Sequence, residues 1–366
     1  MGAKVIDGQG GSSQTGRAIA AVRESPRGEL NAGDAMKMKK FINRPEKLVA
    51  ELLEGFVLSQ PARVSLVGDR LIARARPKPA GRVAIVTLGG SGHEPGLSGF
   101  VGEGLLDISV PGEIFAAPGA PRCLQALRLA DRGCGVLLIV LNHAGDVLQA
   151  RITLDLAERE SLRVRPVITR DDISGGADRN ARRGLVGFLP VYKVAGAAAE
   201  QGRSLEVCLD VAQRMESNTR TLAVAVRAAT HPATGEAIFE LGDEEMEIGM
   251  GQHGEPGIGR MALKTADETA DLMLEALLAD LDVRPGEELL VILNGAGATT
   301  LMELFIIFRR VHRLLADKGI RLIRSAVGEF VTTQEQAGFQ LMISRMDPEL
   351  TALWDAPCDA PYFTVR

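Results

Sequence analysis

His253 lies in the stretch Gly249-Met250-Gly251-Gln252-His253-Gly254-Glu255-Pro256-Gly257, where glycines and a proline surround a single imidazole. Glycine permits positive φ and close approach of a ligand, and proline forbids a continuing helix. The backbone therefore presents this side chain rather than packing it. A second loop well upstream, Gly89-Gly90-Ser91-Gly92-His93-Glu94-Pro95-Gly96, has the same ingredients, so two of the five histidines sit in near-matching Gly/His/Glu/Pro loops. Imidazole has a reference pKa of about 6.5 and is largely neutral near pH 7. A neutral ring nitrogen can attack a carbonyl carbon or move a proton. The candidate chemistry is organic, with His253 as nucleophile or base and His93 and Asp146 as proton handlers. Gly-His turns can also supply satisfied loop histidines, and for either loop alone that reading stays open. His143 is equally open between lining a pocket and bonding backbone, whereas His231 and His312 read as structural.

These residues need elements that carry them to one place. Residues 82–88 (RVAIVTL) read as a strand that runs straight into the His93 loop, and residues 124–130 read as a helix. Val136–Leu141 (VLLIVL) is a continuous apolar run of the kind buried on both faces of a parallel sheet. It leads into Asn142-His143-Ala144-Gly145-Asp146, after which Leu148, Ile152 and Leu156 mark a helix and residues 163–168 a further strand. Strand, loop, helix, strand is the rhythm of a largely parallel α/β sheet, whose ligands bind outside the carboxyl ends of the strands. His93 and Asp146 both lie just past strand ends and can share one crevice.

Helices near 41–58, 190–201 and 205–215 complete the first half. From about Asn218 the texture changes: a strand at 221–226, a hairpin through 231–235, and then the His253 loop. A helix through Leu272–Leu278, a strand at 288–293, a helix at 301–318 and strands at 322–328 and 339–344 follow, and Trp354-Asp355-Ala356-Pro357 is expected to pack back on the body. The pattern predicts two α/β domains with mainly parallel or mixed sheets. One covers 36–218 with the tail 346–366, and the second, 219–345, carries His253. Residues 1–35, glycine-rich and without an apolar period, read as a flexible leader.

With 366 residues, a net charge of -5 and only 4% aromatic residues, the chain lacks the basic face and stacking rings that nucleic acid wants. No apolar run approaches the roughly 20 residues a bilayer span requires. The four cysteines, Cys123, Cys134, Cys208 and Cys358, show no C-x-x-C spacing, which fits a reducing cytoplasm better than a disulfide framework or a zinc site. Gly249-x-Gly251-x-x-Gly254 matches a dinucleotide fingerprint formally, but Glu255-Pro256-Gly257 follows where a helix should open. A P-loop is absent from the sequence as well. His93-Glu94-Pro95 is not H-E-x-x-H, and its proline prevents the helix that would align two metal ligands, so no metal is expected.

With these residues in hand, the chain resembles the dihydroxyacetone-binding subunit family of dihydroxyacetone kinases from about Met38 to the C-terminus. The resemblance rests on Lys39-Lys40-Phe41-Ile42-Asn43, Gly89–Pro95, Pro111-Gly112-Glu113-Ile114-Phe115, Asn142 with Gly145-Asp146, Arg182-Arg183-Gly184, Glu245-Met246-Glu247 with Gly251 and His253–Gly257, and Leu353–Pro357. It implies a two-domain α/β fold and a homodimer. It further implies that His253 captures a ketone carbonyl as a covalent hemiaminal, with His93 and Asp146 assisting phosphoryl transfer to a terminal hydroxyl. Gly89, Gly90, Ser91, Gly92, Ala117, Leu141 and His143 are the substrate-binding positions that follow. No cofactor is expected in this chain; ATP with magnesium, or a phosphoprotein donor, belongs to a separate L-type partner subunit.

This sequence departs from the family pattern in places. Leu88 replaces the first of three glycines, Leu141-Asn142-His143-Ala144-Gly145-Asp146 stands for Lys-Asn-Tyr-Thr-Gly-Asp, and Ala116-Ala117 for Thr-Ser. The three chemical positions survive while pocket positions lose polar atoms, so the expected substrate is a short ketose longer than dihydroxyacetone, a four-carbon one first. His143 is expected to offer a donor to its added hydroxyl. The rival reading is a ketone-binding paralogue that acts as a regulatory co-activator without transferring phosphate.

Overall fold

Strand-forming aliphatic runs alternate with helices along residues 39–366, which are the residues that the computed structural model describes; the leader expected at 1–35 lies outside them. In chain order the elements are α1 (Leu48–Ser59), β1 (Val64–Val67), β2 (Leu71–Arg74), β3 (Ala84–Ser91), β4 (Ile108–Ile114), α2 (Ala120–Ala130), β5 (Val136–Leu141), α3 (Ala144–Arg159) and β6 (Val164–Thr169). There follow α4 (Phe188–Glu200), α5 (Leu205–Ser217), β7 (Thr219–Arg227), β8 (Glu245–Ile248), β9 (Gly259–Ala262), α6 (Ala266–Leu281), β10 (Glu288–Gly295) and α7 (Leu301–Asp317). The chain closes with β11 (Arg321–Gly328), β12 (Ala337–Arg345), α8 (Pro348–Asp355), β13 (Cys358–Ala360) and β14 (Phe363–Val365).

The fold is mixed α/β with two six-stranded sheets. The first runs β1-β2-β4-β3-β5-β6, with β4, β3, β5 and β6 parallel and the β1-β2 ribbon antiparallel at one edge. All six residues of β5 are buried, and its two-residue period sorts them into two layers. Leu137, Ile139 and Leu141 pack with α4 and α5, while Val136, Leu138 and Val140 pack with Cys123, Leu127, Ala150 and Ala157 of α2 and α3. Each large aliphatic side chain buried this way contributes about 1.5–3 kcal/mol. The second sheet runs β11-β10-β12-β7-β8-β9; only β10 and β11 are parallel. Leu290, Ile292 and Met342 of this sheet join the same cluster as α4, so that helix is buried from Phe188 to Ala199 between the sheets. The opposite face carries α6 and α7, each begun by a Thr/Glu capping box.

Three local expectations shift. The first helix starts at Leu48 rather than near Phe41, because Arg44 is extended before Pro45, as a residue preceding proline prefers. The expected hairpin at 231–235 reduces to a single bridge between Thr230 and Ala237. In α3 the apolar marks point outward: Leu148 is 55% and Ile152 41% exposed, and the buried face is Asp146, Ala150, Thr153 and Ala157. Small residues let that helix lie close on the sheet. Trp354 is buried against the body as expected. The four cysteines are unpaired, and no helix among the described residues is long and apolar enough to cross a membrane.

Candidate active site

Strands β3 and β5 are parallel neighbours, with Leu88 paired to Val140, so the loops that follow them leave the same edge of the sheet. The first delivers His93 through Gly92, whose φ of 99° favours glycine. The second delivers His143 at the N-cap of α3 and Asp146 in its first turn. The His253 loop arrives from the second sheet after β8. Arg183 anchors its start, donating to the Gly249 carbonyl (2.7 Å) while paired with Asp172.

Segment 330–334 fastens both histidine loops together. His93 Nδ1 donates to the Thr332 carbonyl at 2.7 Å, and Thr332 N donates back to the His93 carbonyl at 3.1 Å. Thr333 Oγ1 donates to the Gln252 carbonyl (2.9 Å) and Gln334 Nε2 to the Gly92 carbonyl (3.1 Å). Asn294, fully buried in β10, holds this segment by donating to the Val331 carbonyl and accepting from the backbone of Phe330 and Val331.

The result is a cavity of about 250 Å³ lined by Gly89, Gly90, His93, Phe115, Ala116, Ala117, Leu141, His143, Gly145, Asp146, Gln252, His253 and Glu255. His93 Nε2 and His253 Nε2 are 2.9 Å apart. Since His93 Nδ1 carries its proton toward Thr332, its Nε2 accepts, and His253 Nε2–H donates across the gap. On the other side of its ring, His253 Nδ1 is 3.3 Å from Glu255 Oε1, and Glu255 Oε2 accepts from the His253 backbone N–H (2.9 Å). His143 Nε2 donates to the Gly184 carbonyl at 2.9 Å. This bond leaves His143 Nδ1 as an acceptor rather than the donor expected above. Phe115, at a φ of 57°, places its ring 5.1 Å from that of His93, 5.5 Å from His253 and 5.6 Å from His231.

Electrostatics separates these groups. Burial, reinforced by repulsion from His253, pushes His93 down to about 3. The same two causes push His143 down to about 4. Burial raises Asp146 to about 7 against a smaller opposing pull from His253. Its Oδ1 is buried without a protein hydrogen bond, so no protein group offsets the cost of burying its charge. Burial also pushes Glu255 upward, but the hydrogen bonds and charge of His253 outweigh it and hold the carboxylate well below its ordinary range.

Compared with known families, residues 54–362 match the Dak1 domain. The chain belongs to the Dak1 family. Among curated relatives, it is 37% identical over 330 residues to the dihydroxyacetone-binding subunit DhaK of PTS-dependent dihydroxyacetone kinase 2 of Listeria innocua, covering 90% of this chain and all of the relative. It is 39% identical to the L-erythrulose kinase of Pectobacterium atrosepticum, covering 89% of this chain but 56% of that enzyme. Among solved structures, the dihydroxyacetone kinase operon co-activator Dha-DhaQ superposes with a TM-score of 0.82 at 28% identity, over 86% of this chain and 98% of that one.

In this Dak1 chain the fold brings His253, His93 and Asp146 to one cavity together with Gly89, Gly90, Ala117, Leu141 and His143. Ser91 and Gly92 stand apart: Ser91 Oγ donates to the Gly112 carbonyl at 2.8 Å and lines a neighbouring apolar pocket, and Gly92 shapes the turn. A Cβ on Gly90 would come within 2.8 Å of the Ala116 backbone nitrogen, so only glycine fits there. Sequence reasoning missed Glu255 as the partner of His253, Phe115 as the ring beneath three histidines, and Thr332–Gln334 as the clamp. Of these, only Glu255 had a local signal, its two-residue spacing from His253.

Proposed function

We propose that this chain is the ketose-binding subunit of a short-chain ketose kinase, and that His253 captures the substrate carbonyl covalently. The observation that carries the reading is the chain Thr332–His93–His253–Glu255 bordering one cavity with the buried, unpartnered Asp146. Glu255 favours a proton on Nδ1 of His253, which leaves the Nε2 lone pair as the nucleophile once substrate displaces the contact with His93. Nε2 bonds to the carbonyl carbon while the π pair moves to oxygen, which takes the proton that Nε2 has shed; the ring keeps its Nδ1 proton, and Glu255 meets the positive charge left there. A bond to carbonyl carbon rejects polyols that have the same hydroxyls but no electrophile. Asp146, raised to about 7, has a suitable affinity for the proton that a terminal hydroxyl releases as it attacks the phosphorus, the leaving group keeping its electron pair on the donor.

The donor is a separate subunit that supplies the phosphoryl group from ATP with magnesium or from a phosphoprotein. The coverage of a relative named as a binding subunit, complete over its length, supports that division. The exposed run Leu301, Met302, Phe305 and Ile306 on α7 offers an apolar face suited to a homodimer. A second reading, a ketone-binding co-activator, is favoured by the likeness to Dha-DhaQ. The test is phosphate transfer to dihydroxyacetone and erythrulose, with and without an added donor subunit. We expect transfer only with the donor. Adduct formation without transfer under every donor would leave the co-activator reading in its place.

A further inference from the structure

We propose that His143, His253 and Glu255 form a zinc-type metal site whose occupation competes with ketose capture; the competition, though not the binding, rests on the function proposed above. One candidate ligand atom from each of these residues lies within 4.8 Å of the other two. His143 Nδ1 and His253 Nδ1 lie 3.9 and 3.3 Å from Glu255 Oε1. Donors bound to zinc at about 2.0–2.1 Å in a tetrahedral set sit about 3.3 Å apart, so a small contraction closes the site.

The hydrogen bonds around the cluster point the same way. His143 spends Nε2–H on the Gly184 carbonyl. His253 Nε2–H faces His93 Nε2, whose ring is itself anchored at Thr332. His143 therefore aims an Nδ1 lone pair toward the carboxylate, and His253 does so once the proton it shares with Glu255 leaves; each has its far nitrogen held by an outer partner. That outer arrangement is how proteins orient metal-bound imidazoles. A proton on His253 can satisfy one of these contacts, but it leaves His143 Nδ1 facing Glu255 with no donor between them. A single cation satisfies all three. The charge of nearby Arg183 is met by Asp172 at 2.8 Å and opposes a cation less than a free guanidinium would.

Two imidazoles and one carboxylate suit Zn²⁺ or Co²⁺ and leave a position open, whereas Mg²⁺ prefers all-oxygen octahedra. A metal on His253 Nδ1 keeps the ring proton on Nε2, the atom that must attack. The bound state is thus a reversible block on capture.

The experiment is Co²⁺ titration of the full purified chain, read by its visible absorption, with Zn²⁺ competition and a parallel assay of the ketone adduct. We expect one tetrahedral Co²⁺ per chain, displaced by Zn²⁺ and unmoved by millimolar Mg²⁺. His143→Asn and Glu255→Gln should each weaken it by at least about tenfold, the lower end of what even an outer-partner change removes. Rising Zn²⁺ should suppress the adduct in the wild type. Equal Co²⁺ affinity in folded His143→Asn, displacement by Mg²⁺, or a thiolate charge-transfer band from the cysteines would overturn the site. Co²⁺ bound as expected, in a chain that forms no adduct even without metal, would overturn the capture reading and leave the metal site standing.

Discussion

The two histidine loops are built from the same residues and do opposite things. In both, a glutamate accepts a backbone N–H two residues before itself. In the upstream loop the order His93-Glu94 puts Gly92 in that place, with Gly92 N to Glu94 Oε1 at 3.1 Å. In the downstream loop the order His253-Gly254-Glu255 puts the histidine itself there, and the second carboxylate oxygen lands on its ring. One inserted glycine, at a φ of 82°, decides whether an imidazole gains a carboxylate. His93, without one, is 6% exposed and pinned by a backbone carbonyl as a neutral acceptor. The His253 side chain is 28% exposed and retains a face toward the cavity. The difference teaches that spacing within a motif, more than its composition, decides which histidine a carboxylate orients.

Two substitutions test that contrast at its strongest. His253→Ala should abolish adduct formation and lower kcat/KM by roughly 10³-fold or more, because it removes the covalent route. Native mass spectrometry with dihydroxyacetone reads the adduct directly, and a retained mass shift would move the nucleophile elsewhere. Asp146→Asn should keep the adduct but slow transfer by roughly 10²–10⁴-fold, the range of general base catalysis. The same change should stabilise the protein in alkali. Burial raises Asp146 from 3.8 to about 7, so its favourable protonated state is complete below 3.8 and is lost as pH rises through about 7. Asparagine escapes that loss. Thermal melts should show Asp146→Asn a few degrees above wild type at pH 8 and level with it at pH 4; a lower melting temperature at pH 8 would mean the carboxylate is stabilised rather than strained.

Glu255→Gln against Glu94→Gln then isolates the spacing itself. A hydrogen bond to a charged group is worth about 1.5–3 kcal/mol, so the first should lower kcat/KM by roughly 10- to 150-fold. Glu94 bonds backbone alone within its loop, and glutamine retains that acceptor, so the second should stay within about threefold. Comparable losses in the two variants would erase the distinction between the loops.

Much of this arrangement was legible beforehand. The unbroken run Val136–Leu141 announced a central strand buried on both faces, and the shared ends of β3 and β5 followed from the parallel rhythm around it. The α3 stripe misled about its face because Leu148 and Ile152 have helical spacing without burial, while Ala150 and Thr153 take the sheet. The clamp was invisible for another reason. Thr332 lies 239 residues from His93 in sequence and acts through its backbone carbonyl, which every residue type carries. Phe115 carried no warning either, since its contacts depend on a positive φ that the sequence does not mark.

The smallest expected effect concerns substrate length. Ala116, Ala117 and Leu141 border the cavity where the family pattern carries hydroxyls and a lysine, so contacts that could hold a three-carbon ketose are missing. The Ala117 methyl faces the start of α3, where a Cβ on Gly145 would approach it to 3.4 Å, and it lines the same cavity as Asp146. A fourth carbon adds one hydroxyl that can donate to His143 Nδ1, the acceptor left free by the bond to Gly184. One such hydrogen bond contributes about 0.5–1.5 kcal/mol, or roughly 2- to 13-fold in kcat/KM. With a donor subunit present, one erythrulose enantiomer should therefore exceed dihydroxyacetone by that margin, because only one places its hydroxyl toward His143. His143→Phe should remove the preference, read as the ratio of kcat/KM for the two ketoses. If dihydroxyacetone is preferred tenfold or more over both enantiomers, the lost hydroxyls have not lengthened the site, and His143 serves the loop or a metal instead of the substrate.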